Sequence, residues 1–344
     1  MRRRLKRPEG EQLIPALVLV ALVLFASWKW AEAPPAPPPA DGGYLLCSWN
    51  VENLFDDVDD PDDRETLENW FGRNPAMVHE KLDRLCKALL LQAGGRGPDI
   101  LVVVEVENRR AATLLQEALN SRLPAHLAYT SLVFRENRTG RHIAPAILSR
   151  IPGRVDATLT FPPTQRILAA RLVAEGRPLT ILASHWTSRL TDKVGTKRAA
   201  YADSLARAVR ELGPSTDILL CGDFNDEPDD LSVRRNLHAS GDLALVGADD
   251  PAPPLLNLMA GKDPDRFGTY RYKGHWRMFD QIVVSPGLLD PSGWEVLPET
   301  VRAENRAEFR AGRDGHPWRF GNERGDDARG FSDHFAVTVR LRAG

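Results

Sequence analysis

Apolar runs of this 344-residue chain repeatedly end or begin in side chains that can do chemistry. Asn50 and Glu52 follow YLLCSW, and Glu105 and Glu107 close DILVVVEVE. His185 ends LTILASH, Asp223 and Asn225 follow DILLCG, Asp280 opens DQIVVS, and Asp333 with His334 precedes FAVTV. Carboxylates and amides without clustered Cys or closely spaced His suit a hard cation, Mg²⁺ or Mn²⁺, rather than structural zinc. Such an ion needs one or two protein carboxylates, with substrate phosphate and water filling its octahedron. Two histidines beside it could transfer a proton or stabilise charge on a phosphoryl oxygen. The chemistry implied is metal-assisted phosphoester hydrolysis.

Such groups act together only if strands deliver them to one place. The runs YLLCSWN, DILVVVEV, AILS, ILAARLVA, LTILASHW, DILLCGDFN, FDQIVVS and FAVTVRL read as buried strands. Helical periodicity separates some of them, in AMVHEKLDRLCKALLLQA, RAATLLQEAL and KRAAYADSLARAVREL. The chain is therefore a mixed α/β domain. PDILVVVEVEN and TDILLCGDFN echo each other weakly, as a pseudo-symmetric pair of sheets would require. In LLCGDFNDEPDD, residues 219–230, the acidic cluster can equally be an Asx-type turn, and Asp226 and Glu227 keep that reading.

The ordered set SWNVEN, PDILVVVEVEN, ASHWTSR, CGDFNDEP, FDQIVVS and SDHFAV resembles the endonuclease/exonuclease/phosphatase superfamily of DNase I-like enzymes over Tyr44–Leu341. The resemblance implies a four-layer α/β sandwich, two facing β-sheets flanked by helices, with the site at one end of the sheets. It implies Glu105 as principal metal ligand, with Asn50 and Glu52 near the metal or its phosphate and Asp333 beside it. Asp223 is similar to the residue that activates or orients the attacking water, and Asn225 to the one that orients Asp223 or binds phosphate. His334 matches the histidine at the scissile phosphate, Asp280 its carboxylate partner, and His185 a second histidine. Val104 stands where many relatives have Gln, and Glu107, two residues beyond Glu105 on the same strand face, competes with it for the metal. The spacing from DIL favours Glu105. No residue is identified as the carboxylate partner of His185.

Substrate contacts are expected from basic residues near these motifs. Arg189, Lys193, Lys197 and Arg198 follow His185, and YRYKGHWR, residues 270–277, interleaves Arg271 and Lys273 with aromatics, a pattern able to track phosphates and stack bases. Arg310, Arg313, Arg319 and Arg324 lie in an apolar-poor stretch, residues 302–330, that reads as a long loop. The acidic run DDVDDPDDRE, residues 56–65, lacks the spacing of a calcium loop and reads as solvated.

A formal net charge of −2 and 42% hydrophobic residues exclude a histone-like basic protein and a disordered acidic one. Three cysteines in apolar runs, Cys47, Cys86 and Cys221, read as buried free thiols, with a Cys47–Cys221 bridge as the alternative outside the cytoplasm. Residues 1–12 form a basic tail and residues 13–30 an apolar segment expected to be a transmembrane anchor, since Pro34 follows the one Ala-x-Ala match. Residues 31–43 read as a polyproline spacer, and residues 44–344 as the catalytic domain on the non-cytoplasmic side, or secreted if the segment is cleaved. The expected activity is a metal-dependent phosphodiesterase, a nuclease on DNA or RNA. A phosphomonoesterase or lipid- or inositol-phosphate-directed enzyme is the alternative, and a non-catalytic binding module a third reading that predicts eroded site residues. No protein partner is inferred.

Overall fold

Strands that are apolar along their whole length must be covered on both faces. In the computed structural model, which describes residues 43–59, 70–213, 215–246, 254–321 and 329–344, they form two mixed sheets that face each other. The strands are β1 (Tyr44–Leu54), β2 (Ile100–Val106), β3 (Ser131–Phe134), β4 (Ala144–Ser149), β5 (Gly153–Val155), β6 (Arg166–Ala174), β7 (Arg177–His185) and β8 (Ile218–Asp223). They continue with β9 (Ala239–Ser240), β10 (Leu255–Asn257), the hairpin β11 (Tyr270–Tyr272) and β12 (His275–Arg277), β13 (Asp280–Val284) and β14 (Trp294–Ala303). A small hairpin, β15 (Arg310–Ala311) and β16 (His316–Pro317), precedes β17 (Val337–Ala343). The first sheet runs β14-β17-β1-β2-β4-β3 and the second β5-β6-β7-β8-β13-β10-β9.

Strand alternation sorts the side chains into three cores. Leu46, Ile100, Val102, Ile181, Ala183, Leu219, Cys221 and Ile282 fill the space between the sheets. Cys47, Trp49, Leu101 and Val103 point the other way, under helices α1 (Pro75–Leu90) and α2 (Arg109–Asn120). Leu182, Ile218, Leu220 and Val283 lie beneath α3 (Thr196–Leu212). This is the expected arrangement of two facing sheets flanked by helices, and all three cores are filled from residues 44–341.

The helices start where the sequence supplies capping chemistry. Pro75 opens α1, which buries Val78, Leu82, Leu85 and Leu89 at helical spacing. Asn108 caps α2 by accepting from the Ala111 N–H at 2.9 Å. Asp192 accepts from the N–H groups of Lys197 and Arg198 at the start of α3. The three cysteines are free and buried, with Cys47 and Cys221 in different cores. The tail, the apolar segment and the spacer up to residue 42 lie outside the described residues, as do residues 60–65 of the acidic run and Arg324. Among the described residues no helix is long and apolar enough to cross a membrane.

Candidate active site

Three site residues share one row across the second sheet. His185 on β7 is in register with Asp223 on β8, and Asp223 with Asp280 on β13. Each continues the alternation of its strand's inward side chains, Ile181 and Ala183, Leu219 and Cys221, Ile282 and Val284, so all three emerge between the sheets at one end. Gly222 makes this packing possible. A Cβ there would lie 1.9 Å from the Ser184 carbonyl oxygen, and its φ of +133° disfavours any side chain. Beyond the strands, the Trp186 N–H reaches Asp223 O at 2.9 Å, and the Phe224 N–H reaches Phe279 O at 2.8 Å.

The first sheet delivers its residues through irregular backbone. Register shifts interrupt β1 between Asn50 and Leu54 and β2 between Val103 and Val106. Glu52, Asn53 and Glu105 take φ values of 51°, 61° and 68°, a left-handed conformation that L-residues adopt at a cost of roughly 1–2 kcal/mol each. Parity with Leu101 and Val103 would aim Glu105 at the helices. The bulge turns it inward, where Oε1 accepts from Asn50 Nδ2 at 3.3 Å and Oε2 from the Asn53 N–H at 3.0 Å. The same Asn50 amide donates to Asp223 Oδ2 at 3.1 Å and so joins the two sheets.

His334 enters from the segment before β17. Its carbonyl accepts from Trp49 Nε1 at 2.9 Å, its N–H reaches Ser332 Oγ at 3.1 Å, and that hydroxyl donates to Asn50 O at 2.6 Å. Its Nδ1 lies 2.7 Å from Asp280 Oδ2, its Nε2 lies 3.9 Å from Asp223 Oδ2, and Tyr270 stacks on the ring with centroids 4.7 Å apart. Behind this segment the buried Lys81 of α1 donates to Phe331 O at 2.9 Å.

Environment drives the two histidines apart. Burial alone would lower His334, but the Asp280 carboxylate, by charge and hydrogen bond, with Asp223 and Asp333 beyond it, lifts its pKa well above the ordinary 6.5. His185 is held well below 6.5 by burial, then by Arg166, His334 and Arg141. It stays neutral, with Nε2 3.7 Å from Glu105 and 3.8 Å from Asp223. Its Nδ1 has no hydrogen-bond partner among the described residues. Burial pushes Asp223 up to about 7, with Asp280 adding to the rise against the pull of His334 and of the hydrogen bonds from the Asn225 N–H and Asn50.

Asn50, Glu105, His185, Asp223, Asn225, Asp333 and His334 line a single cleft of about 350 Å³, with Asp280 behind His334. Glu52 does not join them. Its carboxylate accepts from the guanidinium of Arg319, at 2.8 Å from Nε, and from the N–H groups of Phe320 and Gly321, so the expected metal contact gives way to a loop anchor. Arg319 is correspondingly tied to Glu52, with Asp333 3.8 Å away. Arg271 turns from the cleft to Asp314 and lies 5.1 Å from the Trp276 ring centroid, and Lys273 sits at the hairpin turn over Tyr272. Arg189 does line the cleft, but pairs with Asp226 and Asp230.

Other expectations change for the same reason, burial of a charge beside a partner. Arg198 is buried between Asp192 and Asp226, so Asp226 is a core acid rather than a turn residue. Glu227 accepts from the Met278 N–H and pairs with Arg277. Glu107 accepts from the Asp56 N–H at 2.9 Å, away from Glu105. Asp56, at the start of the run expected to be solvated, is buried and bonded to Asn108. Arg141, Tyr270 and Phe279 also line the cleft, although their sequence context does not assign them to it. The interleaved aromatics of YRYKGHWR are the available signal for Tyr270, and nothing local marks Arg141.

The donor set fits a hard cation. Glu105, the Asn50 amide and Asp333 present only oxygen or amide groups to the cleft, donors that suit Mg²⁺ or Mn²⁺, and burial and the charge of Glu52 raise Asp333. Among the described residues no three His, Cys, Asp or Glu side chains group as a ready-made metal site.

Residues 156–343 match the model of the Endonuclease/Exonuclease/phosphatase family. A humanized D. rerio TDP2 carrying 14 mutations superposes with a TM-score of 0.52 at 16% identity, over 88% of this chain and 100% of that one. A truncated Caenorhabditis elegans TDP2 gives 0.50 at 19%, over 88% and 98%. D. rerio TDP2 complexed with a single-strand DNA product gives 0.50 at 15%, over 88% and 100%. At these identities the likeness establishes the DNase I-like α/β fold. None of the curated proteins compared matches the sequence.

Proposed function

Because the chain belongs to the endonuclease/exonuclease/phosphatase family, we propose that it is a metal-dependent phosphodiesterase that hydrolyses DNA or RNA. The observation that carries this reading is the row His185, Asp223, Asp280 facing Asn50 and Glu105 across one cleft, with His334 locked on Asp280. Glu105, Asn50 and Asp333 would hold Mg²⁺ or Mn²⁺, whose contribution there is to neutralise phosphate charge. His334, kept cationic by Asp280, faces the charge that develops on a phosphoryl oxygen. Asp223, ordered by Asn50 and by the Asn225 N–H, is placed to accept the proton of the attacking water. Neutral His185 can donate or accept one hydrogen bond beside it.

Nucleic acid as substrate is supported by the arginines around the cleft and by the tyrosine pair Tyr270 and Tyr272 at its wall. A lipid-directed phosphodiesterase is favoured instead by Leu190 on the cleft, 73% exposed, and by Val194 on the same loop, 83% exposed. The deciding experiment is a metal-dependent activity panel on supercoiled DNA, RNA, inositol phosphates and sphingomyelin, with chelator controls. The nucleic-acid reading expects cleavage of DNA or RNA that EDTA abolishes. Folded protein that hydrolyses only the lipid or inositol substrates overturns it. The basic tail and apolar segment support a non-cytoplasmic catalytic domain held at the membrane. Protection of the domain from protease in intact cells or spheroplasts that expose that side would refute the placement.

A further inference from the structure

A second concavity, about 340 Å³, lies beside the catalytic cleft between the loop before β4 and the loop before β6. The two loops are joined where Thr139 Oγ1 donates to Pro163 O at 3.1 Å. Arg166 lines this concavity, and its guanidinium donates to the carbonyls of His185 and Trp186 at 3.0 and 2.9 Å. Arg141, on the same loop as Arg135 and Arg138, lines the catalytic cleft. The two spaces therefore adjoin along the His185 side of the site.

The cations of the two spaces differ. Around the catalytic cleft Arg189 pairs with Asp226 and Asp230, and Arg277 with Glu227. In the second space Arg135 and Arg138 are exposed and have no hydrogen-bond or ion-pair partner among the described residues. The one acid of that lining, Glu136, accepts from the Arg109 N–H at 3.2 Å. An isolated exposed arginine is ordinarily just solvated. Two that converge on one hollow with a half-buried aromatic, Phe161, offer what a nucleotide unit needs, forked donors for phosphate and an apolar face for a base.

We propose that Arg135, Arg138 and Phe161 form a subsite for the nucleotide flanking the scissile phosphate on the His185 side, a proposal that rests on the nucleic-acid reading of the catalytic cleft. Its ligand is a phosphodiester chain, and its effect is on substrate affinity rather than on chemistry at the scissile bond. Small phosphodiesters that end at the catalytic cleft do not reach it.

The test compares the wild-type chain with the double variant Arg135→Ala/Arg138→Ala on bis(4-nitrophenyl) phosphate and on a short single-stranded oligonucleotide. A charge-matched control, Arg302→Ala/Arg342→Ala, removes exposed arginines from β14 and β17, toward the edge of the first sheet opposite β3 and β4. Expected for the subsite variant is unchanged turnover of the small diester and a KM for the oligonucleotide raised roughly tenfold, as loss of two charged contacts would give. The slope of log affinity against log salt should shrink by about 1.4, at ~0.7 per phosphate contact on single strands, and Phe161→Ala should raise KM without changing that slope. Oligonucleotide binding by anisotropy in EDTA provides a readout independent of turnover. A wild-type enzyme that cleaves the oligonucleotide while the double variant matches the control in KM and salt slope overturns the subsite and leaves the nuclease reading standing. Binding that depends on Arg135 and Arg138 without cleavage supports the subsite and overturns the nuclease reading. A wild-type chain that binds no oligonucleotide overturns both.

Discussion

The two sheets bring polar groups to the same cleft by different means. In the second sheet, His185, Asp223 and Asp280 follow from strand alternation and register, and no bulge interrupts the row. In the first sheet, Glu105 reaches the cleft because a bulge overrides alternation, and Glu52 and Asn53 share the left-handed backbone that accompanies it. A regular row makes geometry easy to hold, since each strand positions its neighbour. A bulge stores local strain and is held by its surroundings, which suits a group that must approach a metal or phosphate closely.

The difference can be broken most deeply in the regular row. Asp223→Ala should lower kcat on any phosphodiester by about 10³-fold, the range of a lost proton acceptor, with the circular dichroism spectrum retained. Retained activity in this variant would remove Asp223 from its role. Gly222→Ala attacks the packing of the same row. The overlap with Ser184 O and the positive φ should together destabilise the fold by about 3 kcal/mol or more, read as a fall in the urea midpoint with the m-value preserved.

The bulge is tested by a pair of acids two positions apart. Glu105→Ala should reduce activity roughly 10²-fold and raise the Mg²⁺ concentration needed for half-maximal rate. Glu107→Ala should leave the rate within about threefold but lose about 1–3 kcal/mol of stability, because the buried Asp56 N–H loses an acceptor. Equal rate losses in both would mean that the inward turn at Glu105 does not decide which acid serves the site.

Titration separates the histidines in the metal-free protein, measured in EDTA. His185 has a depressed folded pKa, so below 6.5 the unfolded chain binds the extra proton and stability falls as pH drops. His334 has a raised folded pKa, so its contribution is complete below 6.5 and is lost as pH rises through the folded value. Each slope can reach about 1.4 kcal/mol per pH unit. His185→Asn should flatten the acid side of the stability profile and His334→Asn the alkaline side. The smallest effect belongs to Lys273→Ala at the hairpin turn, whose kcat/KM on the oligonucleotide should stay within about twofold of wild type.

Much of the site is legible in the amino-acid sequence. Apolar runs bounded by acids, amides and histidines name Asn50, Glu105, His185, Asp223, Asn225, Asp333 and His334 in the cleft lining, because a strand buried on both faces leaves its polar chemistry to its ends. The departures are equally physical. Glu52 reads as a group near the metal or its phosphate and Arg319 as a substrate contact, and instead they neutralise one another. Arg198 reads as a substrate contact and Asp226 as a turn residue, and they are a buried pair. In each case the partner comes from another element, 267 residues away for Glu52, and local composition carries no trace of it.

The order of residues along the chain suffices for the α/β class, for the succession of strands that deliver chemistry and for the parity that aligns His185, Asp223 and Asp280. Folding adds the inward turn of Glu105 in place of Glu107, the opposite charge states of the two histidines, and the choice of which arginines remain unpaired. Alternation is a property of one strand and can be read along it. Bulge direction, pKa and ion pairing are sums over neighbours brought together by folding, and those sums do not exist until the two sheets meet.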